Sequence, residues 1–310
     1  MPNLKQVILT LVATGQMSWT CTAPSNSVSS LSLSQNNGLY DTELYGVFTD
    51  SSFSEQNTAT YQAEKMITKD TICYFINKET SLYKNADGKE VFSKMPAGTF
   101  LRESFINKKE STDEYLCIEI KGKRVRIAKS ALTSATPEAT TVFFKPTTEK
   151  VIIVDKDARK MIVYDQFGKN KVKEFKIALS SWGKGDKKVE WDGNTPEGKY
   201  YIALKNPASS FGTNPKTWWR LGSLMVSYPN TQDAIEGLIS GDITTTQYNS
   251  IKTATQNKAV TSQSTKLWSY IMIHWWGSSA DWTLWCMALD NEDMLRLYNF
   301  MNTGADLFIW

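Results

Sequence analysis

The sequence predicts a mainly β protein with a few helices, in which a small β-barrel precedes a larger domain of β-sandwich or barrel type. Short runs of β-branched and aromatic residues alternate with turn residues along most of the chain. The helices that the sequence predicts all begin after residue 230. The 310 residues are enough for two domains that each bury a core.

Charge and hydropathy argue against two kinds of interaction. The chain has 35 Lys and Arg against 32 Asp and Glu, and no basic run is long enough to follow a phosphate backbone. We therefore expect no nucleic-acid partner. Beyond the N-terminus, no stretch of sequence is long and apolar enough to predict a transmembrane segment.

The first 20 residues have the pattern of an export signal, because Lys5 precedes an apolar run at residues 7–13 and small or polar residues follow. This predicts an exported protein, periplasmic or at the cell surface, with Cys21 as a candidate site for a lipid anchor. An ordinary flexible N-terminus is the alternative. Residues 21–64 are rich in Ser and Asn and lack the apolar content of a core, which predicts a tether.

Residues 65–133 contain several short strand-like runs, among them TICYFI, TSLYK and YLCIEI, separated by turns at NADG and KG. So many short strands in one segment favour a small barrel. The runs SLYK, MPAGTFLR and VRIAKSAL resemble those of bacterial SH3-like domains, which implies a module that binds the cell wall or its glycan. A structural spacer is the alternative. Cys73 and Cys117 could form a disulfide or stay as two buried thiols.

The second domain is predicted over residues 142–310, after the short linker TSATPEATT. KVIIVD and KMIVYD are predicted to pair as strands, and VKEFKIAL and GKYYIALK continue the sheet. TPEG reads as a turn before the last of these strands. Helices are predicted at residues 231–239, 245–256 and 291–302, with Gly241 as the breaker between the first two.

The only histidine of the chain, His274, lies twelve positions before Cys286. An imidazole base and a thiol that it can deprotonate are the minimal requirement for nucleophilic acyl transfer. The run SYIMIHW is predicted as a strand in which Tyr270, Met272 and His274 share one face. The alternative interpretation is a packed histidine and a small buried cysteine without catalytic roles.

Four motifs in order make residues 150–309 resemble the L,D-transpeptidase catalytic domain, also called the YkuD-type domain. They are DGNTPEGKYYI, SYPNTQDAIEG with GDIT, the strand ending in IMIH, and DWTLWCMALDNEDM. The resemblance implies that Cys286 is the nucleophile, His274 the base and Thr283 the residue that opens the nucleophile motif. It also implies that the carbonyl of Trp275 orients the imidazole, and that the N–H groups of Trp285 and Cys286 form the oxyanion hole.

The implied reaction is acyl transfer on peptidoglycan stem peptides, which would serve cell-wall biogenesis and cell shape. Cys286 attacks the carbonyl of the third stem residue, and an amine of a second stem resolves the thioester into a cross-link between third-position residues. The resemblance implies neither a metal nor an organic cofactor, and a single histidine argues against a zinc hydrolase. A hydrolase that uses the same Cys and His, either a carboxypeptidase or an amidase, and a catalytically impaired wall-binding protein are the alternatives.

Four tryptophans occupy positions where relatives have, or often have, glycine: Trp191, Trp268, Trp275 and Trp285. An indole beside the nucleophile restricts a backbone that glycine leaves free, so these residues taken literally predict a damaged site. The second hypothesis is that some of them are glycines encoded by UGA and read as tryptophan under another genetic code. UGG codons at these positions would refute that hypothesis.

Overall fold

The computed structural model describes residue 59 and residues 72–183, 185–207, 222–267 and 270–310. The predicted export signal, the lipidation site at Cys21 and Trp268 lie outside these residues and stay predictions. Of the predicted tether only Ala59 is described, and its side chain is fully buried in a core cluster formed by residues of both predicted domains. Among the helices that the structure describes, none has the length and apolar character needed to cross a bilayer.

The N-terminal β region consists of short antiparallel strands. In chain order they are Ile72–Ile76 (β1), Thr80–Tyr83 (β2), Val91–Met95 (β3), Phe100–Arg102 (β4), Tyr115–Ile120 (β5), Lys123–Ala128 (β6) and Leu132–Ser134 (β7). They form two sheets, with the orders β4-β1-β7 and β3-β2-β6-β5. Both turn residues between β5 and β6, Lys121 and Gly122, have positive φ, as a type I′ hairpin turn requires. The SH3-like assignment of this region stays a prediction.

The second domain is built on one curled sheet of eight strands. They are Val151–Asp155 (β8), Lys160–Asp165 (β9), Asn170–Lys176 (β10), Gly198–Asn206 (β11), Ser223–Val226 (β12), Met272–His274 (β13), Met287–Ala288 (β14) and Asp306–Ile309 (β15). The order is β10-β9-β8-β15-β11-β12-β13-β14, and only β8 with β15 and β13 with β14 pair in parallel. The predicted pairing of KVIIVD with KMIVYD and the mainly β fold class are confirmed.

Four α-helices accompany these sheets in the described residues: Pro137–Phe143 (α1), Thr231–Ser240 (α2), Thr245–Gln256 (α3) and Asn291–Phe300 (α4). Helix α1 begins inside the predicted linker, where Thr136 caps it and Pro137 occupies its first turn, and it ends two residues beyond that linker. Helices α2 and α3 follow the prediction, and Gly241 ends α2 at φ 79°. The prediction for α4 was two residues too long, because the chain is already extended at Met301.

One hydrophobic core joins the N-terminal β region to the second domain. Leu82 and Ile127 from the first belong to the same buried cluster as Ile202 and Ile273 from the second. Burying each such side chain contributes about 1.5–3 kcal/mol to stability. The predicted domain boundaries are therefore not marked by a gap in the core, and the two regions pack directly against each other.

Candidate active site

The predicted base ends strand β13, and the predicted nucleophile directly precedes strand β14. The two strands pair in parallel, with His274 opposite Ala288. Cys286 lies directly before β14 and two residues before Ala288. The register therefore brings the backbones at residues 274 and 286 close together, although the residues are twelve positions apart in the sequence.

His274 is held in one tautomer by the chain itself. Its Nδ1 lies 2.6 Å from the backbone carbonyl of Trp275. A carbonyl oxygen can only accept, so Nδ1 carries the proton and Nε2 is left as the basic nitrogen. Burial lowers the pKa of His274 below its ordinary value, and the hydrogen bond to Trp275 opposes only part of that shift. The contact expected for the Trp275 carbonyl is present.

The thiol of Cys286 is half-buried and donates a hydrogen bond to the carbonyl of Tyr270 at 3.7 Å. The prediction that Tyr270, Met272 and His274 share one strand face is wrong at its first residue. Strand β13 begins only at Met272, and Tyr270 has a left-handed backbone with φ 60°. In this conformation the backbone carbonyl of Tyr270 points toward the Cys286 thiol.

Two buried threonines hold the backbone at Cys286, the predicted nucleophile. The hydroxyl of Thr283 donates to the carbonyl of Cys286, and the hydroxyl of Thr195 donates to the carbonyl of Trp285, each at 2.8 Å. Thr283 was predicted as a site residue. Thr195 was predicted only as part of the TPEG turn, and its place in the DGNTPEG motif was the one sequence signal for a role at the site.

A second set of contacts, which the sequence did not predict, fixes residues 281–283, the loop that leads to Cys286. Asp281 accepts hydrogen bonds from Arg159 Nη2 at 2.7 Å and from the Leu179 N–H at 2.9 Å. The N–H groups of Trp282 and Thr283 donate back to the Leu179 carbonyl. Burial alone would raise the pKa of Asp281, but these donors and the charge of Arg159 outweigh it and lower that pKa. The loop is therefore tied to the end of the sheet.

The tryptophans that stand at glycine positions differ in their surroundings. The side chains of Trp275 and Trp285 are both buried. The indole of Trp285 packs edge-on against Trp191 at 5.5 Å and under the ammonium of Lys187. Trp191 has φ 63°, and Trp276, which the sequence did not single out, has φ 112°. The indoles of Trp275 and Trp285, which follow His274 and precede Cys286, thus belong to the core.

A family profile described as the L,D-transpeptidase catalytic domain, YkuD, matches residues 149–309. No curated protein matches the chain. Across the described residues, no group of three or more His, Cys, Asp or Glu side chains is placed to hold a metal ion.

Several solved structures are similar to parts of the chain. The helical cell shape determining protein Pgp2 from Campylobacter jejuni is 23% identical, with 52% of this chain and 46% of that chain covered and a TM-score of 0.33. Bd1075 from Bdellovibrio bacteriovorus is 20% identical, with 53% and 48% covered and a TM-score of 0.31. An L,D-transpeptidase from Mycobacterium smegmatis is 11% identical, with 67% and 83% covered and a TM-score of 0.29. This chain spans less than half of the first two proteins, and similarities of this size carry no conclusion about function.

Proposed function

The chain belongs to the L,D-transpeptidase catalytic-domain family, and from that premise we propose that it is a cysteine acyltransferase acting on peptidoglycan stem peptides. The observation that supports this most is the pairing of β13 with β14. In this register the backbone around Cys286 runs next to that of His274, whose Nδ1 proton is fixed by a backbone carbonyl. This supports a role for Nε2 of His274 as the base that deprotonates the Cys286 thiol.

The first half-reaction forms a thioester. Nε2 of His274 takes the proton of the Cys286 thiol, and the thiolate attacks the carbonyl of the third residue of a donor tetrapeptide stem. The N–H groups of Cys286 and Trp285 donate to the oxyanion that develops. When the tetrahedral intermediate collapses, the bond to the terminal D-Ala breaks and its amine leaves with the proton from His274.

The second half-reaction transfers the acyl group. An amine of a second stem attacks the thioester, and His274 takes a proton from that amine. The carbon–sulfur bond breaks, the Cys286 thiol is protonated again, and an amide joins the two third-position residues. Water in place of the amine makes the same site a carboxypeptidase, so the nature of the acceptor decides between transfer and hydrolysis.

The substrate class fits the predicted export of the chain, since peptidoglycan lies outside the cytoplasm. We propose a periplasmic or cell-surface location, with attachment through Cys21 as a further proposal. The N-terminal β region either binds the wall through an SH3-like barrel or serves as a structural part of the enzyme. The core that it shares with the second domain supports the structural role.

Intact-protein mass spectrometry after incubation with a carbapenem tests the proposal, because a thiolate acylated by the β-lactam keeps the added mass. We expect one adduct on the wild type, none on Cys286→Ala, and one on Cys117→Ala, in which a free buried thiol of the N-terminal region is removed. No adduct on the wild type would count against both catalytic functions and favour the impaired wall-binding protein. Incubation with tetrapeptide muropeptides then distinguishes a transpeptidase, which yields dimers, from a hydrolase, which yields tripeptides.

A further inference from the structure

We propose that Thr195 is a positioning residue that orients the oxyanion-hole amide of Cys286. The inference rests on the proposed function, because it requires the Cys286 N–H to donate to the oxyanion of the acylation step. Thr195 comes from the loop before β11, 90 positions ahead of the residue whose carbonyl it binds. Nothing in the reaction itself needs its hydroxyl, so its action must pass through the peptide group that it holds.

A single peptide group connects Thr195 to the proposed oxyanion hole. The Trp285 carbonyl and the Cys286 N–H belong to the same peptide, and the six atoms of that unit are planar. In a trans peptide the C=O and N–H bonds point in opposite directions. The hydrogen bond from Thr195 Oγ1 to the Trp285 carbonyl at 2.8 Å therefore sets the direction of the Cys286 N–H. Thr283 fixes the following peptide through the Cys286 carbonyl in the same way.

Thr195 is itself held rigidly enough to serve this purpose. Pro196 restricts the backbone of Thr195 to extended conformations, and the β-branched side chain has few rotamers. The ammonium of Lys156 donates to the Thr195 carbonyl at 2.7 Å and to the Glu197 carboxylate at 2.8 Å. The Glu197 N–H donates to Asp186 at 2.8 Å, which ties the loop to itself.

If the Thr195 hydroxyl is removed, we expect the Trp285 carbonyl to rotate. Thr195 is only 2% exposed, so no bulk water takes the place of its hydroxyl around that carbonyl. A buried carbonyl that loses its donor is costly, and rotation of the peptide toward another donor is the available relief. Such a rotation carries the Cys286 N–H away from the oxyanion while leaving the sulfur in place.

Two reactions of the same thiol distinguish this role from a structural one. Acylation by a carbapenem passes through an oxyanion, whereas alkylation by iodoacetamide displaces iodide directly and forms none. We expect Thr195→Val, which has the same shape without the hydroxyl, to lower the acylation rate about 10–100-fold, since loss of one oxyanion donor costs about 10²–10³-fold. The alkylation rate should stay at the wild-type value. Thr195→Ser, which keeps the hydroxyl, should match the wild type in both reactions.

The outcomes separate this inference from the function on which it rests. Wild-type acylation in Thr195→Val, or a parallel fall of both rates, overturns the positioning role and leaves the proposed function standing. A wild-type enzyme that is alkylated but never acylated overturns the proposed function instead. Circular dichroism and thermal unfolding of each variant report on folding. Thr195→Ala, which is smaller, carries the same comparison if the valine variant does not fold.

Discussion

Arg102, at the end of β4, connects the N-terminal β region to the loop that carries Thr195, and Arg102→Met should destabilise the protein by about 3 kcal/mol. Its guanidinium lies 3.3 Å from the Asp186 carboxylate and 3.9 Å from that of Glu197. The side chains of Arg102, Asp186 and Glu197 are 7%, 9% and 12% exposed. Methionine keeps most of the length and apolar contact of the arginine, so the change tests the charge.

The magnitude follows from what the substitution leaves behind. Removing one partner of a buried ion pair costs about 3–5 kcal/mol, because the other charge stays buried without compensation. Asp186 keeps a second cation, Lys188, at 2.6 Å, so the lower end of that range applies. The exposed pair of Lys84 and Glu90 is closer, at 2.5 Å, but both side chains are 52% exposed. Exposed pairs are typically worth only ~0–1 kcal/mol, so Lys84→Met is the matched control.

The effect should also depend on pH in one direction. Burial would raise the pKa of Asp186, but Lys188 and Arg102 outweigh it and hold that pKa below the ordinary 3.8. A carboxyl with a lowered folded pKa contributes stability above its unfolded pKa and loses it as pH falls through the folded value. The difference between wild type and Arg102→Met should therefore be constant near neutral pH and shrink in acid, because the Asp186 carboxyl of the variant, which lacks the Arg102 charge, is protonated before that of the wild type as pH falls.

Urea unfolding of the wild type, Arg102→Met, Arg102→Lys and Lys84→Met measures these differences from the midpoints and slopes. We expect Arg102→Lys to recover part of the loss, because it restores the charge without the planar fork. A loss below about 1 kcal/mol in Arg102→Met, or equal losses in the methionine variants of residues 102 and 84, would refute the reasoning, because exposed pairs reach that value.

Three further predictions concern the site. Because burial lowers the pKa of His274, the acid limb of the carbapenem acylation rate should fall below pH 6.5, and a limb above that value contradicts a neutral buried base. Asp281→Asn should cost about 1–2 kcal/mol in urea unfolding and slow acylation, because it weakens the anchor to Arg159, whereas Glu292→Gln, which changes a 71% exposed side chain of α4, should change neither. Trp276→Gly should be at least as stable as the wild type, since φ 112° stores about 1–3 kcal/mol of strain with a side chain, and a lower urea midpoint would show that the indole contacts outweigh it.

Much of the fold could be predicted because its signals are local. The starts of helices α2 and α3 are marked in the sequence by the capping residues Asn230 and Thr244, each of which belongs to a capping box. Helix α1 was missed because PEATT lies in a segment whose Pro and Thr content is typical of a linker. The strand before His274 was predicted too long, because nothing in the residues around Tyr270 indicates a left-handed backbone.

For the candidate site, too, the local signals could be predicted and the long-range contacts could not. Cys286 and His274 could be found because a motif and a unique residue mark them. The contacts of Arg159 with Asp281 and of Thr195 with the Trp285 carbonyl join residues 122 and 90 positions apart. Only the arrangement of β8 to β15 brings those residues together, and the spacing of residues in one sequence does not encode that arrangement.

The tryptophans at glycine positions bear less on catalysis than the sequence suggested. Every contact that the mechanism draws from positions 275 and 285 is made by backbone: the carbonyl that orients His274, the carbonyl that Thr195 holds, and the N–H proposed for the oxyanion hole. Tryptophan and glycine supply these groups equally, and the two indoles pack in the core. The genetic-code hypothesis is best tested at Trp191 and Trp276, because their backbones have positive φ values, which glycine adopts without strain. UGA codons that are read as glycine there would leave the proposed chemistry unchanged, and UGG codons would mean that both positions are tryptophans with a strained backbone.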